Sequence, residues 1–182
     1  MLEIEAKYPL VDMAAFAARL EAYGARPIEE RSDADHYFNA PDRDFAATDE
    51  AFRVRRIGER TFLTWKGPKF DRETKSRQEI EVPVAAGAAA ANDLLRLVEK
   101  LGYRPVAVVR KRRRVFELDR EGFSLHCCVD DVERVGTFAE IEIVAEEESF
   151  APAKAALQRV AEELGLHETE RRSYLQLLLN RM

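Results

Sequence analysis

Leu2-Glu3-Ile4-Glu5-Ala6-Lys7-Tyr8 alternates strictly, with Leu2, Ile4, Ala6 and Tyr8 on one side and Glu3, Glu5 and Lys7 on the other. A period of two marks a strand with one apolar face. Pro9 ends it, and Asp12 stands where it can cap a helix in which Met13, Phe16, Ala17, Leu20 and Tyr23 recur at helical spacing as far as Gly24. The second strand face, carrying three ionisable side chains, is the feature that recurs through the rest of the chain.

Residues 26–39 read as a strand closed by Asn39-Ala40-Pro41-Asp42, and residues 51–57 set Arg53 and Arg55 on one side of the next. Gly58-Glu59 is a tight turn into residues 61–66, which end in Lys66, so the two segments form a hairpin. Gly67-Pro68 opens a polar loop, expected to be mobile, that runs through Lys75. Arg77, Glu79 and Glu81 then alternate with Gln78, Ile80 and Val82 before Pro83. A helix carrying Leu94, Leu97, Val98 and Leu101 stops at Gly102. The second half predicts strands over 106–118, 123–132 and 138–144 and helices over 152–164 and 170–181. No stretch is rich enough in Gly, Ser or Pro to be an interdomain linker. Residues 1–182 are therefore expected to form a single α+β domain with mostly antiparallel strands.

Composition agrees. The 182 residues fit one core, and 46% apolar content with 35% charged residues rules out disorder as the default. Lys and Arg total 29 against 34 Asp and Glu, a net charge of -5, which argues against wholesale binding to duplex nucleic acid or an anionic membrane. The longest apolar stretches, residues 85–91 and 175–179, fall far short of a bilayer span. Cys127 and Cys128 are adjacent, so ordinary disulfide geometry is out of reach; a reducing, cytoplasmic setting and a role as small apolar residues follow. His36, His126 and His167 are scattered without Cys partners, which disfavours zinc and leaves carboxylate-held Mg²⁺ or Mn²⁺ as the metal chemistry. Symmetry statistics make a homodimer the default association, although no interface is identifiable.

A single charged strand face usually means solvent. Here Glu3/Glu5/Lys7, Arg53/Arg55, Lys66, Arg77/Glu79/Glu81, Lys111/Arg113, Asp130 and Glu140/Glu142 give such faces on strand after strand. A barrel with an ionic interior and helices outside satisfies them all. Its charges must be paired, hydrated or occupied by ligand, because an unpaired buried ion is costly. Clustered carboxylates suit hard divalent cations and neighbouring Arg and Lys suit phosphate oxygens, so the set points to a polyphosphate-metal site. No Gly-rich phosphate loop is present, and side chains must do the holding. The basic run from Arg110 to Arg114 reads as a strand whose alternate residues face tunnel and exterior, in preference to a nucleic-acid patch. Tyr37, Phe38 and Trp65 are available either to pack or to stack on a base.

Glu3-Ile4-Glu5-Ala6-Lys7 resembles the ExExK signature of the CYTH, or triphosphate tunnel metalloenzyme, superfamily. The resemblance continues in order through Asp35-His36-Tyr37-Phe38, Arg53-Val54-Arg55, Leu63-Thr64-Trp65-Lys66, Arg77-Gln78-Glu79-Ile80-Glu81, Lys111-Arg112-Arg113, Asp130-Asp131-Val132, Glu140-Ile141-Glu142 and Ser173-Tyr174. It implies a closed antiparallel eight-stranded β-barrel with peripheral helices and an enzyme acting on a small-molecule triphosphate with Mg²⁺ or Mn²⁺. By the same resemblance Glu3 and Glu5, with Asp130, Glu140 and Glu142, would hold metal, while Glu79 and Glu81 would complete a second metal site or order the basic residues. Lys7, Arg53, Arg55, Lys66, Arg77, Lys111, Arg113 and Arg172 would contact the triphosphate. Lys7 is open to two roles, proton acceptor or phosphate ligand; Glu3, Glu5 and Lys7 form the expected catalytic set. The Asp-x-Tyr-Phe segment and the Arg-Ser-Tyr-Leu ending resemble the class IV adenylyl cyclase group, which converts ATP to cyclic AMP and pyrophosphate. An inorganic or thiamine triphosphatase cleaving the terminal phosphate, and a noncatalytic polyphosphate- or nucleotide-binding module, are the alternatives.

Overall fold

A computed structural model describes residues 2–69 and 76–182. The expected polar loop therefore lies outside the described residues from position 70 to 75. The elements run β1 (Leu2–Pro9), α1 (Met13–Ala22), β2 (Arg26–Asn39), β3 (Ala51–Ile57), β4 (Arg60–Lys66), β5 (Glu79–Val84), α2 (Ala88–Lys100), β6 (Arg104–Arg120), β7 (Phe123–Val132), β8 (Gly136–Ala145), α3 (Phe150–Glu163) and α4 (Tyr174–Leu179). All eight strands join one antiparallel sheet in the order β1-β8-β7-β6-β2-β3-β4-β5.

Two meanders, β2 to β5 and β6 to β8 with β1 added, are joined where β2 pairs with β6. That seam carries register shifts at Pro27/Glu29 and Tyr37/Phe38. Such irregularities bend and twist a strand, which lets a sheet curl. The curl brings β1 beside the approach to β5, where Glu3 and Arg77 form one isolated bridge through the Arg77 N–H and the Glu3 carbonyl at 3.4 Å. The closed barrel expected from the resemblance is thus a curled sheet here, with a single bridge between its edges among the described residues. A second difference is local: β5 begins at Glu79 and continues through Pro83. β5 pairs on one side only, and an edge strand tolerates a residue without an N–H.

On the convex side α1 and α3 cover β1, β8 and β7, burying Leu20, Leu157, Ile4 and Ile141 completely. Each such leucine adds about 1.5–3 kcal/mol. The Asp12 carboxylate accepts the Ala15 N–H at 2.9 Å and starts α1, as its position in the sequence predicts. α2 covers β3 through Val98 on Val54 and Phe38. Helix α4 is shorter than expected because Ser173 and Gln176 form a reciprocal capping box that sets its first residue at Tyr174. Its Tyr174, Leu177 and Leu178 pack on Tyr37, Val109, Val132 and Phe138, residues of β2, β6, β7 and β8, and close one end of the curl. The Gly58-Glu59 turn joins β3 to β4, with Gly58 at a φ of 58° that a side chain rarely adopts. No helix among the described residues is long and apolar enough to cross a membrane.

Candidate active site

Strand parity decides what enters the concave side. Glu5 pairs with Glu142 and Lys7 with Glu140 in the β1–β8 register, so alternate residues of both strands share a face. Asp35 sits opposite Arg55, and Tyr37 opposite Arg53, in the β2–β3 register. Arg113 sits opposite Asp130 between β6 and β7. The basic run alternates accordingly, with Lys111 and Arg113 buried inside and Arg110 and Arg112 exposed outside. A cavity of about 390 Å³ fills the concavity.

One wall of that cavity is acidic. Glu3, Glu5 and Glu142 each present a carboxylate oxygen, and these oxygens lie within 4.8 Å of one another. Burial, reinforced by the neighbouring Glu3, Glu140 and Glu5 carboxylates and only partly relieved by Arg113, pushes the Glu142 carboxyl up to about 7. Burial also raises Glu3, against the pull of Lys66 and with Glu79 beside it. Lys66 donates to Glu3 at 2.6 Å and pairs with Glu79 at 2.5 Å, bridging β1 to β5.

The opposite wall is a lattice of paired charges. Arg55 grips Asp35 through two hydrogen bonds of 2.7 and 2.8 Å, and Arg53 lies 3.3 Å from the same carboxylate. Although Asp35 is deeply buried, Arg53 and Arg55 hold its carboxyl well below the usual range. Asp130 accepts from Arg113 at 2.7 and 2.6 Å, from Lys111 at 3.2 Å and from the Tyr174 hydroxyl at 2.8 Å. Arg113 also hydrogen-bonds Glu140. Three lining arginines stand out: the Nε atoms of Arg31, Arg53 and Arg77 are buried without a hydrogen-bond acceptor among the described residues, and of these Arg31 Nε still lies 3.1 Å from the Asp33 carboxylate. Buried guanidinium N–H groups left unsatisfied in this way are ready for an anionic ligand.

Most of the residues expected from the sequence meet around the cavity. Glu3, Glu5, Glu79, Glu81, Glu140 and Glu142 line it, as do Arg53, Arg55, Lys66, Arg77, Lys111 and Arg113. Glu81 accepts the Thr64 hydroxyl at 2.8 Å. Three others lie elsewhere. Asp130 stands behind the lining, enclosed by the cations just named. Lys7 is 1% exposed; its ammonium donates to the Arg172 carbonyl and lies 4.1 Å from the centre of the Tyr174 ring. The Arg172 side chain points away and pairs with Glu170. Tyr37, a candidate for packing or base stacking, lines the cavity with Arg31, Ser173 and Tyr174, and Asp35 anchors its arginines, although no site role was expected for the last four. The parity of Asp35 and Tyr37 with Arg31 along β2 was the available signal. Trp65 lies on the opposite face from Lys66, and its indole N–H donates to Glu50 at 3.0 Å. Cys127 and Cys128 are buried, and burial pushes the Cys127 thiol up to about 12.

Residues 1–174 match the CYTH domain family. The chain belongs to that family. A Methanocaldococcus jannaschii protein provisionally named an adenylate cyclase is 35% identical to this CYTH chain over 142 residues, 78% of this chain and 77% of the other. Adenylate cyclase CyaB of Aeromonas hydrophila is 31% identical over 178 residues, 94% of this chain and 86% of its own. A solved structure of a Pyrococcus horikoshii protein superposes with a TM-score of 0.85 at 34% identity, covering 99% of both chains.

Proposed function

We propose that this CYTH protein is a divalent-cation-dependent enzyme acting on a triphosphate, and that its reaction is the class IV adenylyl cyclase conversion of ATP to cyclic AMP and pyrophosphate. The observation that carries this reading is the presence of the acceptor-less Nε donors of Arg53 and Arg77 in the same cavity as the Glu3/Glu5/Glu142 oxygen cluster. Triphosphate oxygens satisfy the first, and a cation satisfies the second.

The cluster fits a hard divalent cation on the chemistry of its donors. It offers only carboxylate oxygens, and burial, with the neighbouring carboxylates adding to it, already lifts Glu142 above an ordinary glutamate. Glu3, Glu5 and Glu142 would hold Mg²⁺ or Mn²⁺, with Glu79, Glu81 and Glu140 bordering the site. When bound, the cation supplies charge neutralisation for the phosphates and for the oxygen that departs.

The chain's own residues do the rest. Arg53, Arg77, Lys66, Arg55, Lys111 and Arg113 bind the phosphates, and the pairing of Arg53 and Arg55 to Asp35, of Lys111 and Arg113 to Asp130 and of Lys66 to Glu79 holds those five in place before substrate arrives, so little reorganisation remains for the reaction. In cyclisation the ribose 3′-hydroxyl oxygen forms a bond to the α-phosphorus as its O–H bond breaks and the proton passes to solvent, while the bond from the α-phosphorus to the bridging oxygen breaks and pyrophosphate leaves with that electron pair. Lys7 enters as an ammonium that anchors the chain before α4 through the Arg172 carbonyl. The β1 edge and the residues leading into β5, bridged at Glu3 and Arg77, flank the ligand, and residues 1–182 act as one domain.

Chromatography of products after incubation with ATP and Mg²⁺ or Mn²⁺ tests the reading. Cyclic AMP with pyrophosphate is expected. Orthophosphate with ADP would replace cyclisation by terminal hydrolysis, and binding without turnover would make the protein a binding module.

A further inference from the structure

A second chamber of about 290 Å³ adjoins the charged cavity. Tyr37, Arg53, Lys66, Arg77 and Ser173 line both. Its remaining walls add apolar surface, Phe45 from the segment after β2, Phe52 from β3, Val106 from β6, and Leu175 and Leu179 from α4, beside polar residues that include Asp49 paired with Lys69. Val106 and Leu179 remain 39% and 42% exposed, so large apolar side chains face solvent at its rim. The acidic side chains around it are already engaged. Glu50 accepts from Arg43, Thr48 and Trp65, and Asp44 accepts from Asn39 and the Ala46 N–H.

We infer that this chamber receives the organic end of the substrate, so that the protein selects triphosphates bearing a flat ring system over inorganic tripolyphosphate. The inference rests on the triphosphate reading above and adds where the non-phosphate group goes. Arg53 and Arg77, whose unsatisfied Nε donors invite phosphate oxygens, stand at the junction of the two spaces. A phosphate chain anchored there runs one way into the charged cavity and presents its substituent the other way. The charged cavity offers a ring mainly ionic walls, whereas the chamber offers apolar surface that loses water when a ring enters it. Inorganic tripolyphosphate gains nothing from that surface. Val106, Leu175, Leu179 and Phe45 are thus specificity-determining residues for the organic group.

Two chamber-filling variants on different elements, Leu179→Trp and Val106→Trp, test this in the full chain. Calorimetric titration with ATP and with tripolyphosphate, both with Mn²⁺, supplies the readout. ATP affinity should fall at least about tenfold in each variant while tripolyphosphate affinity stays within about twofold, which also reports that the variants are folded. Equal losses for both ligands, or no loss for either, would overturn the inference. Wild-type protein that binds tripolyphosphate as tightly as ATP would overturn it too, while leaving the triphosphate reading standing. Failure of wild-type protein to bind either ligand would instead overturn that reading and this inference with it.

Discussion

Two sets of buried carboxylates face one another across the same cavity under opposite electrostatics. Glu3 and Glu142, on β1 and β8, lie among other carboxylates, and burial raises both above the ordinary range. Asp35 on β2 is more deeply buried than either, yet Arg53 and Arg55 hold it far below that range. Burial alone therefore does not decide the behaviour of an acid here; the charges across the neighbouring strand do. The acidic wall is short of positive charge and the basic wall has its cations pre-positioned, an arrangement that a cation and a triphosphate complete together.

Breaking the basic wall should have the largest effect. Asp35→Ala leaves Arg53 and Arg55 without their shared anion, and urea denaturation should register a loss of about 3–5 kcal/mol. A loss under about 1 kcal/mol would mean the arginines are hydrated rather than clamped. On the acidic wall, wild-type protein should gain about 2.7 kcal/mol of stability from Mn²⁺ at a hundred times its dissociation constant. Glu142→Gln should abolish that gain, and should raise the thermal midpoint in chelator because one like charge leaves the cluster. An undiminished Mn²⁺ shift in the variant would place the cation elsewhere.

Acid sharpens the contrast. A carboxyl held low in the folded state contributes stability that is present above its unfolded value and drains away as pH falls toward its folded value. The Asp35 contribution should accordingly decline from about pH 5 downward. Asp35→Asn should flatten that decline in a pH series of denaturation midpoints; an unchanged slope would remove Asp35 as its source. The smallest effect belongs to an exposed pair far from both walls. Arg159→Ala breaks the exposed ion pair with Glu121 and should leave the denaturation midpoint and turnover within error of the wild type.

Much of this contrast was legible in period-two patterns. Residues 26–39, 51–57 and 123–132 form strands with the boundaries their patterns predict, and parity alone places Glu3, Glu5, Arg53, Arg55, Lys111 and Arg113 on the concave side. Pairing was not legible, because it depends on register between distant strands. Nothing local to Asp35 marks it as the partner of Arg53 and Arg55 from β3. Asp130 reads as a metal ligand until β6 brings Arg113 and Lys111 against it and α4 adds the Tyr174 hydroxyl. Lys7 alternates correctly with Glu3 and Glu5, but the chain before α4 returns across it: the Glu170 N–H donates to the Lys7 carbonyl at 2.7 Å, and the Arg172 carbonyl takes its ammonium. A contact across more than 160 residues leaves no mark in a heptapeptide.

The most direct test of the two-wall account is calorimetric titration of ATP into wild-type protein, first in chelator and then with Mn²⁺, with Glu142→Gln alongside. The account predicts that Mn²⁺ strengthens binding to the wild type at least about tenfold and leaves the variant near its chelator value. Equal wild-type affinity with and without Mn²⁺ would contradict it, because the acidic wall would then contribute nothing but repulsion to a bound triphosphate.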